Sequence, residues 1–117
     1  MRTRRTVLLV LIMMISLAGC GGESVTTMNA PANLVGTSWL ASVILDWDPV
    51  TDATSYNIYR SVVSGAVSSK TLLVSTLPAT EYTDTAVSSG TTYYCQVIAV
   101  NSAGESQASN EIAVTPE

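Results

Sequence analysis

The chain has 117 residues, of which 47% are hydrophobic and 12% are charged, and its formal net charge is −4. This length allows one domain of ordinary small size. The sequence contains no histidine, which excludes a histidine-based catalytic triad, a histidine metal cluster and an imidazole general base.

The N-terminus has the three parts of an export signal. Three arginines precede an uninterrupted apolar stretch at residues 7–15, and the small residues Ala18 and Gly19 follow. The apolar stretch is shorter than the roughly 20 residues that a helix needs to cross a membrane. Residues 1–19 are therefore predicted to be a cleaved signal peptide, with an uncleaved anchor helix as the alternative interpretation.

The end of this segment, Leu17-Ala18-Gly19-Cys20, resembles the processing box of bacterial lipoprotein signals. The resemblance implies that the Cys20 thiol receives a diacylglyceryl group and that the leader is cut just before it. Two or three acyl chains hold a protein durably at a membrane, whereas one chain does not. The expected location is a bacterial cell envelope. Gly21, where an aspartate would favour the inner membrane, favours the outer membrane if the source is Gram-negative.

Removal of the leader changes the charge of the protein. Arg60 and Lys70 are then the only cations against nine carboxylates, a net side-chain charge of −7. Such a surface cannot neutralise phosphates, so neither nucleic acid nor anionic lipid head groups are expected partners. Attachment to the membrane must then come from the covalent lipid. Residues 20–30 are rich in glycine, serine and threonine and are predicted to be a flexible tether.

From Pro31 onward the apolar residues recur with period two, which is typical of strands with one buried face. The alternation is clearest at residues 43–47, 56–60 and 93–100, and a last short apolar strand follows at residues 111–114. Turn signals such as Asp48-Pro49 and Ser89-Gly90 separate these segments. Short strands at this spacing, without a helical stretch, predict an all-β sandwich.

Over nearly all of residues 31–117 the chain resembles a fibronectin type III domain. The matching segments, in family order, include Leu45-Asp46-Trp47, Ala53-Thr54-Ser55-Tyr56-Asn57-Ile58-Tyr59-Arg60, Tyr82-Thr83-Asp84-Thr85 and Gly90-Thr91-Thr92-Tyr93-Tyr94-Cys95. The resemblance implies a seven-stranded immunoglobulin-like β-sandwich in which strands A-B-E pack on strands C′-C-F-G. Residues 70–75 are expected to form strand C′.

The same resemblance implies the core. Trp47 is expected to lie beneath Tyr56 and Val97, and Tyr93 is expected to be the tyrosine of the corner motif. The family usually lacks a core disulfide, and Cys95 is expected to be a free, buried thiol. Without a neighbouring base, a buried thiol is inert.

Three aspartates, Asp46, Asp48 and Asp52, approach the rhythm of a calcium loop, since oxygen-rich loops bind calcium. The segment lacks the glycine and the terminal glutamate of an EF-hand. Asp48-Pro49 is better interpreted as a turn in which the carboxylate bonds local backbone amides. No metal, no cofactor and no catalytic activity are expected.

Tyr59, Tyr94 and Ile98, together with Val100, are expected to share one solvent-facing surface, because strands C and F are neighbours in the family. An exposed aromatic and aliphatic patch is typical of protein contacts, although cross-strand pairing that stabilises the sheet explains the same residues. Trp39, near the first turn, is expected to cap one end of the core. An exposed Trp39 would instead indicate contact with a sugar or a partner.

Together these features favour a lipid-anchored, non-catalytic binding or spacer module that contacts an unidentified envelope protein. One alternative is a carbohydrate-binding accessory module for envelope or extracellular polysaccharide. Another is a fragment of a larger multi-domain protein. The sequence leaves the oligomeric state open.

Overall fold

Eight β-strands and one 3-10 turn make up the part of the chain that the computed structural model describes, residues 28–117. The predicted signal peptide, Cys20 and most of the predicted tether lie outside the described residues. No helix between residues 28 and 117 has the length and apolar character needed to cross a membrane. The strands are β1 (Val35–Trp39), β2 (Ser42–Asp46), β3 (Ser55–Ser61), β4 (Thr71–Leu77), β5 (Glu81–Asp84), β6 (Tyr93–Asn101), β7 (Gly104–Glu105) and β8 (Ile112–Val114), with the 3-10 turn at Val67–Ser69.

The strands form two sheets, and this confirms the predicted all-β sandwich. One sheet has the order β1-β2-β5; the other has the order β4-β3-β6, with β7 and β8 both paired to β6. These sheets correspond to the predicted A-B-E and C′-C-F-G layers. The predicted last strand at residues 111–114 is β8, and the short strand β7 before it was not predicted, so the described residues have eight strands in place of seven. Between β7 and β8, Ser106 and Ser109 accept hydrogen bonds through their Oγ atoms from the N–H groups of Ala99 and Val97, at 2.9 Å each.

The core lies between the sheets and is built from the inward positions of β2, β3 and β6. The rings of Trp47 and Tyr56 meet edge to face with centroids 5.5 Å apart, a geometry that aromatic pairs favour. Met28 is buried in the same cluster, so the folded unit includes residues that precede the predicted start at Pro31. The buried strand and loop residues of the core include Leu34, Val43, Leu45, Trp47, Tyr56, Ile58, Tyr93, Cys95, Val97, Ala99 and Val114.

Strand β4 is irregular, and it begins one residue and ends two residues later than predicted. Its register against β3 shifts twice, between the pairs Tyr59–Leu72, Ile58–Val74 and Tyr56–Leu77. Such bulges bend an edge strand and raise its twist.

The two ends of the sandwich differ, and we name them the tether pole and the turn pole. The chain enters at the tether pole, where Asp48, just beyond the end of β2, donates from its N–H to the carbonyl of Ala32 at 3.0 Å. The turn pole lies at the other end of β2, where Trp39 is the cross-strand partner of Ser42. Five residues of strand, at about 3.3 Å each, separate the two poles along β2.

Candidate functional site

The turn that joins β1 and β2, residues 39–42, carries the most exposed large hydrophobic side chain of the described residues. We call residues 39–42 the Trp39 turn. Trp39 is 64% exposed and Leu40 is 73% exposed. Trp39 therefore does not cap the core, and the expectation that it would was wrong. The reason is strand alternation: Val35, Thr37 and Trp39 face outward while the residues between them are half-buried.

Hydrogen bonds hold this turn against the last residues of the chain. The N–H of Ala41 donates to the Glu117 carbonyl at 3.0 Å, and the N–H of Glu117 donates to the Trp39 carbonyl at 3.2 Å. The hydroxyl of Ser89 also donates to the Glu117 carbonyl, at 2.7 Å. Trp39 and Leu40 are therefore displayed from a turn whose backbone is bonded on both sides.

The surface predicted from strands C and F is only partly present. Ile98 is 7% exposed, so its predicted place on a solvent-facing patch was wrong. Tyr59 and Tyr94 are half-buried and occupy diagonal positions, because Tyr59 pairs with Gln96 and Tyr94 pairs with Ser61. Diagonal pairs of aromatic residues are within reach of each other. Trp39 belongs to the other sheet, so the structure does not bring it to this surface.

Sequence reasoning missed Leu72, which lies opposite Tyr59 on the same face. Leu72 is 47% exposed. It belongs to the run Leu72-Leu73-Val74, in which no alternation distinguishes an outward from an inward residue. The bulge in β4 decides the matter, because the extra residue places Leu73 and Val74 against the core while Leu72 faces outward.

A groove of about 340 Å³ opens beside the start of β4; we call it the β4 groove. The guanidinium carbon of Arg60 lies 5.0 Å from the centre of the Tyr93 ring, a cation–π contact. Arg60 also pairs with the carboxylate of Asp84, which is 3% exposed, so its charge is already balanced within the protein. The groove is lined by Arg60, Ser61, Val62, Thr71, Leu72, Leu73 and Tyr93.

The second cation is also paired. Lys70 donates from Nζ to Glu111 Oε2 at 2.6 Å. Ser64 donates from its hydroxyl to Glu111 Oε1 at 2.6 Å, and Gly65 donates from its N–H to Oε2 at 3.0 Å. These bonds, the one from Lys70 above all, lower the pKa of Glu111 from its ordinary 4.5 to about 2. Both cations of residues 28–117 are thus engaged in ion pairs.

Cys95 and Asp48, two other residues considered from the sequence, are each accounted for within the fold. Cys95 is a free, buried cysteine, and burial, together with the charge of Asp84, raises the pKa of its thiol to about 11. Asp48 accepts a hydrogen bond from the side chain of Asn33 at 2.7 Å, in place of the local amides expected of it. Between residues 28 and 117 there is no group of three metal-binding side chains. Cys20 and its neighbours lie outside the described residues.

The fold and its surfaces can be compared with known proteins. The sequence model of the fibronectin type III domain matches residues 29–115. An amylopullulanase of Thermoanaerobacterium saccharolyticum is 36% identical over 96 residues, which are 81% of this chain and 7% of that enzyme. This chain therefore spans a small part of a curated relative that it matches.

The solved structures that this chain is similar to include the following two. A Fn3-like protein from Clostridium thermocellum has a TM-score of 0.69 at 31% identity, covering 79% of this chain and 96% of that one. A β-1,2-glucanase from Parabacteroides distasonis has a TM-score of 0.65 at 28% identity, covering 80% of this chain and 13% of that enzyme. A similar sandwich thus makes up nearly all of one solved chain and a small part of another.

Proposed function

Because the chain belongs to the fibronectin type III family, we propose that it is a non-catalytic contact module held at a bacterial cell envelope by a lipid on Cys20, with the Trp39 turn as its binding site. The observation that carries this proposal is the position of Trp39 and Leu40. They are exposed at the turn pole, while the chain enters at the opposite pole beside Asp48. A lipid attached ahead of residue 28 would therefore leave the Trp39 turn pointing away from the membrane.

The chemistry of the turn suits a protein partner. Buried aromatic side chains supply much of the binding energy at protein interfaces, and a turn whose backbone is already held by hydrogen bonds loses little backbone freedom on binding. Since both cations of residues 28–117 are paired within the protein, an anionic partner would find no unpaired cation in this part of the chain. A tethered module also meets its partner at a raised effective concentration. The partner is expected to be an envelope protein with a neutral, apolar pocket.

The anchor is tested by Cys20→Ser in the full chain. We expect this variant to remain uncleaved or to move from the membrane fraction to the soluble fraction, because the lipid is the proposed attachment. Its sandwich should fold with an unchanged urea midpoint, as the substitution lies outside the folded unit. A normally processed, membrane-bound Cys20→Ser protein would refute the anchoring proposal.

The binding site is tested separately by pull-down from native envelope. Trp39→Ala should abolish partner recovery, because it removes the exposed aromatic ring. Tyr94→Ala, on the outer face of the other sheet, is the matched control and should leave recovery unchanged. Equal recovery with Trp39→Ala and wild type would remove the Trp39 turn as the site. Loss of recovery with Tyr94→Ala alone would move the site to the outer face.

A second candidate function is an accessory module for polysaccharide, and two observations favour it. Trp39 is exposed, as a ring that stacks on a sugar must be, and the chain resembles parts of an amylopullulanase and of a β-1,2-glucanase. This candidate also accommodates a chain that is a fragment of a larger multi-domain protein. Affinity electrophoresis in gels that contain pullulan or β-1,2-glucan tests this candidate. Retardation that Trp39→Ala removes supports a sugar ligand. The same mobility in these gels as in a gel without polysaccharide excludes both glucans as ligands.

A further inference from the structure

The Trp39 turn and the β4 groove lie at the same pole of the sandwich. Asp84, at the end of β5, pairs with Val43 beside the turn, and Asp84 also forms the ion pair with Arg60 in the groove. Tyr93, the other end of the groove floor, pairs with Val114, three residues before the Glu117 that bonds the turn. Turn and groove are therefore at a similar height above the tether pole.

They lie on opposite lateral sides of the molecule. β1 packs against β8, since a Cβ added at Gly36 would lie 2.8 Å from Ile112 Cδ1. β8 is at one edge of the five-stranded sheet and β4 is at the other. The Trp39 turn accordingly projects at the β8 side, and the groove opens at the β4 side.

Turn and groove also match in chemistry. The turn offers an indole and an aliphatic side chain without a charge. The groove has Val62, 59% exposed, and Leu72 on its rim, with a tyrosine ring and a charge-balanced guanidinium inside. Its volume of about 340 Å³ is near the lower end of ligand pockets, roughly 300–1,000 Å³, which suits one aromatic side chain. A carboxylate or an ammonium group would find no unpaired partner there.

We propose that the Trp39 turn of one copy docks in the β4 groove of a second copy, so that tethered molecules associate side by side. This inference rests on the proposed function, because it names the partner of the Trp39 turn. Turn and groove are at the same height on opposite sides, so every molecule in such a row keeps its tether pole toward the same membrane. The contact is heterologous, and a heterologous contact that does not close produces an open row.

Charge sets a condition on this association. The tether pole carries five carboxylates and no cation among the described residues: Asp46, Asp48, Asp52, Glu81 and Glu105. Side-by-side docking brings these poles near each other, and salt screens their repulsion over about 10 Å at 0.1 M. Association should therefore strengthen as the ionic strength rises from about 0.01 M to about 0.15 M.

Mixed cysteine variants of the full chain, oxidised in native membranes, test the proposal. Leu40→Cys and Val62→Cys, co-expressed as separate copies, should give a disulfide-linked dimer of the chain. Neither variant should cross-link when expressed alone, because the proposed contact joins the turn of one copy to the groove of another and never places two turns or two grooves together. Leu40→Cys with Asp52→Cys, at the exposed tether pole, is the matched negative control. Cys95 is buried and does not compete.

Adding Trp39→Ala to the Leu40→Cys copy should lower the mixed cross-link more than about tenfold, the loss expected of an aromatic anchor. Circular dichroism and the urea midpoint of each variant show whether it folds. Cross-linking of Leu40→Cys with itself, or no mixed dimer at any ionic strength from folded variants, overturns the second-copy inference.

The outcomes also separate this inference from the function on which it rests. Trp39-dependent capture of another protein or of a glucan, without a mixed dimer, overturns the second copy as partner and leaves the Trp39 turn as the site. Mixed dimers that Trp39→Ala does not weaken overturn the docking of Trp39 in the groove, and the pull-down with Trp39→Ala then decides separately whether the turn is the binding site.

Discussion

Gly36 lies on the inward side of the first strand, where β1 packs closely against β8. A Cβ at this position would lie 2.8 Å from Ile112 Cδ1, the end of that side chain, and 3.3 Å from Val114 Cβ, so the side chains of β8 would have to shift to admit it. The inward positions of β1 are thus held by small residues, Gly36 and Ser38. Trp39, three residues further along, consequently faces solvent. The close packing of β1 on β8 at Gly36, together with strand alternation, accounts for the exposure of Trp39.

Ala41 completes this turn in a left-handed conformation, with φ at +54°. A residue with a Cβ is strained there by about 1–2 kcal/mol, whereas glycine adopts this region freely. Glycine also has more conformational freedom than alanine in the unfolded chain, and this lowers the free energy of unfolding by about 0.4–1 kcal/mol. Ala41→Gly should therefore raise the free energy of unfolding, measured in urea, by about 0.5–1 kcal/mol.

The matched control for Ala41→Gly is Ala113→Gly, at an exposed position in β8. Ala113 is not among the residues with positive φ, so glycine there brings only its entropic cost, and stability should fall by roughly 0.5–1 kcal/mol. Destabilisation by both substitutions would contradict the strain assigned to Ala41.

At the scale of elements, Glu111 holds the loop between β3 and β4 to the start of β8. It accepts hydrogen bonds from Ser64, Gly65 and Lys70, and the Lys70 side chain is fully buried by this arrangement. The loop carries Val62, which lines the β4 groove. Integrity of the groove should consequently depend on a carboxylate more than 40 residues away in sequence.

The pH dependence of stability follows from this carboxylate. The pKa of Glu111 is about 2 in the folded protein against an ordinary 4.5, so folding favours its charged form. Its contribution is complete above about pH 4.5 and is lost as the pH falls toward 2. Glu111→Gln should therefore be less stable than wild type at pH 7, with the difference in urea midpoint shrinking at pH 3 and below.

Glu105→Gln is the control for the pH series, because Glu105 is exposed on β7 and lies outside the Lys70–Glu111 pair. Its stability at pH 7 should stay within about 0.5 kcal/mol of wild type. A Glu111→Gln difference that does not shrink in acid would show that the loop is held by something other than the charge.

At the scale of the whole molecule, the ion pair of Arg60 and Asp84 joins the two sheets. Arg60 is on β3 of the five-stranded sheet, and Asp84 is on β5 of the three-stranded sheet. Asp84 is buried and also accepts a hydrogen bond from the N–H of Ala86 at 3.0 Å. Removing the cation from a buried carboxylate greatly lowers the free energy of unfolding, whereas replacing both partners often changes it little.

Arg60→Met should therefore lower the free energy of unfolding by about 2–3 kcal/mol at pH 7, somewhat less than for a fully buried pair because Arg60 is partly exposed. Arg60→Met with Asp84→Asn should recover most of this loss, since asparagine keeps the acceptor for Ala86 without the charge. Equal stabilities of the single and double variants in urea would show that the unpaired carboxylate is not the cause.

Much of the sandwich could be predicted from local pattern. Alternation placed Val43, Leu45 and Val97 on inward faces, because the period of a strand is two and one face is buried. The pattern failed where pairing is irregular. The bulge in β4 exposes Leu72, and no feature of the sequence predicts that bulge. Ile98 is buried although the alternation predicts that it faces outward.

The sequence by itself determined the class of this protein. Its alternation and turn residues specify the family fold, its composition excludes histidine chemistry, and Cys20 predicts where it is held. Only the tertiary structure decided which residues this protein exposes for contact with a partner. The outward direction of Trp39 depends on the contact of Gly36 with β8, and the groove exists because Arg60, Leu72 and Tyr93 meet from three strands. Such contacts join residues distant in the chain, so no local pattern records them.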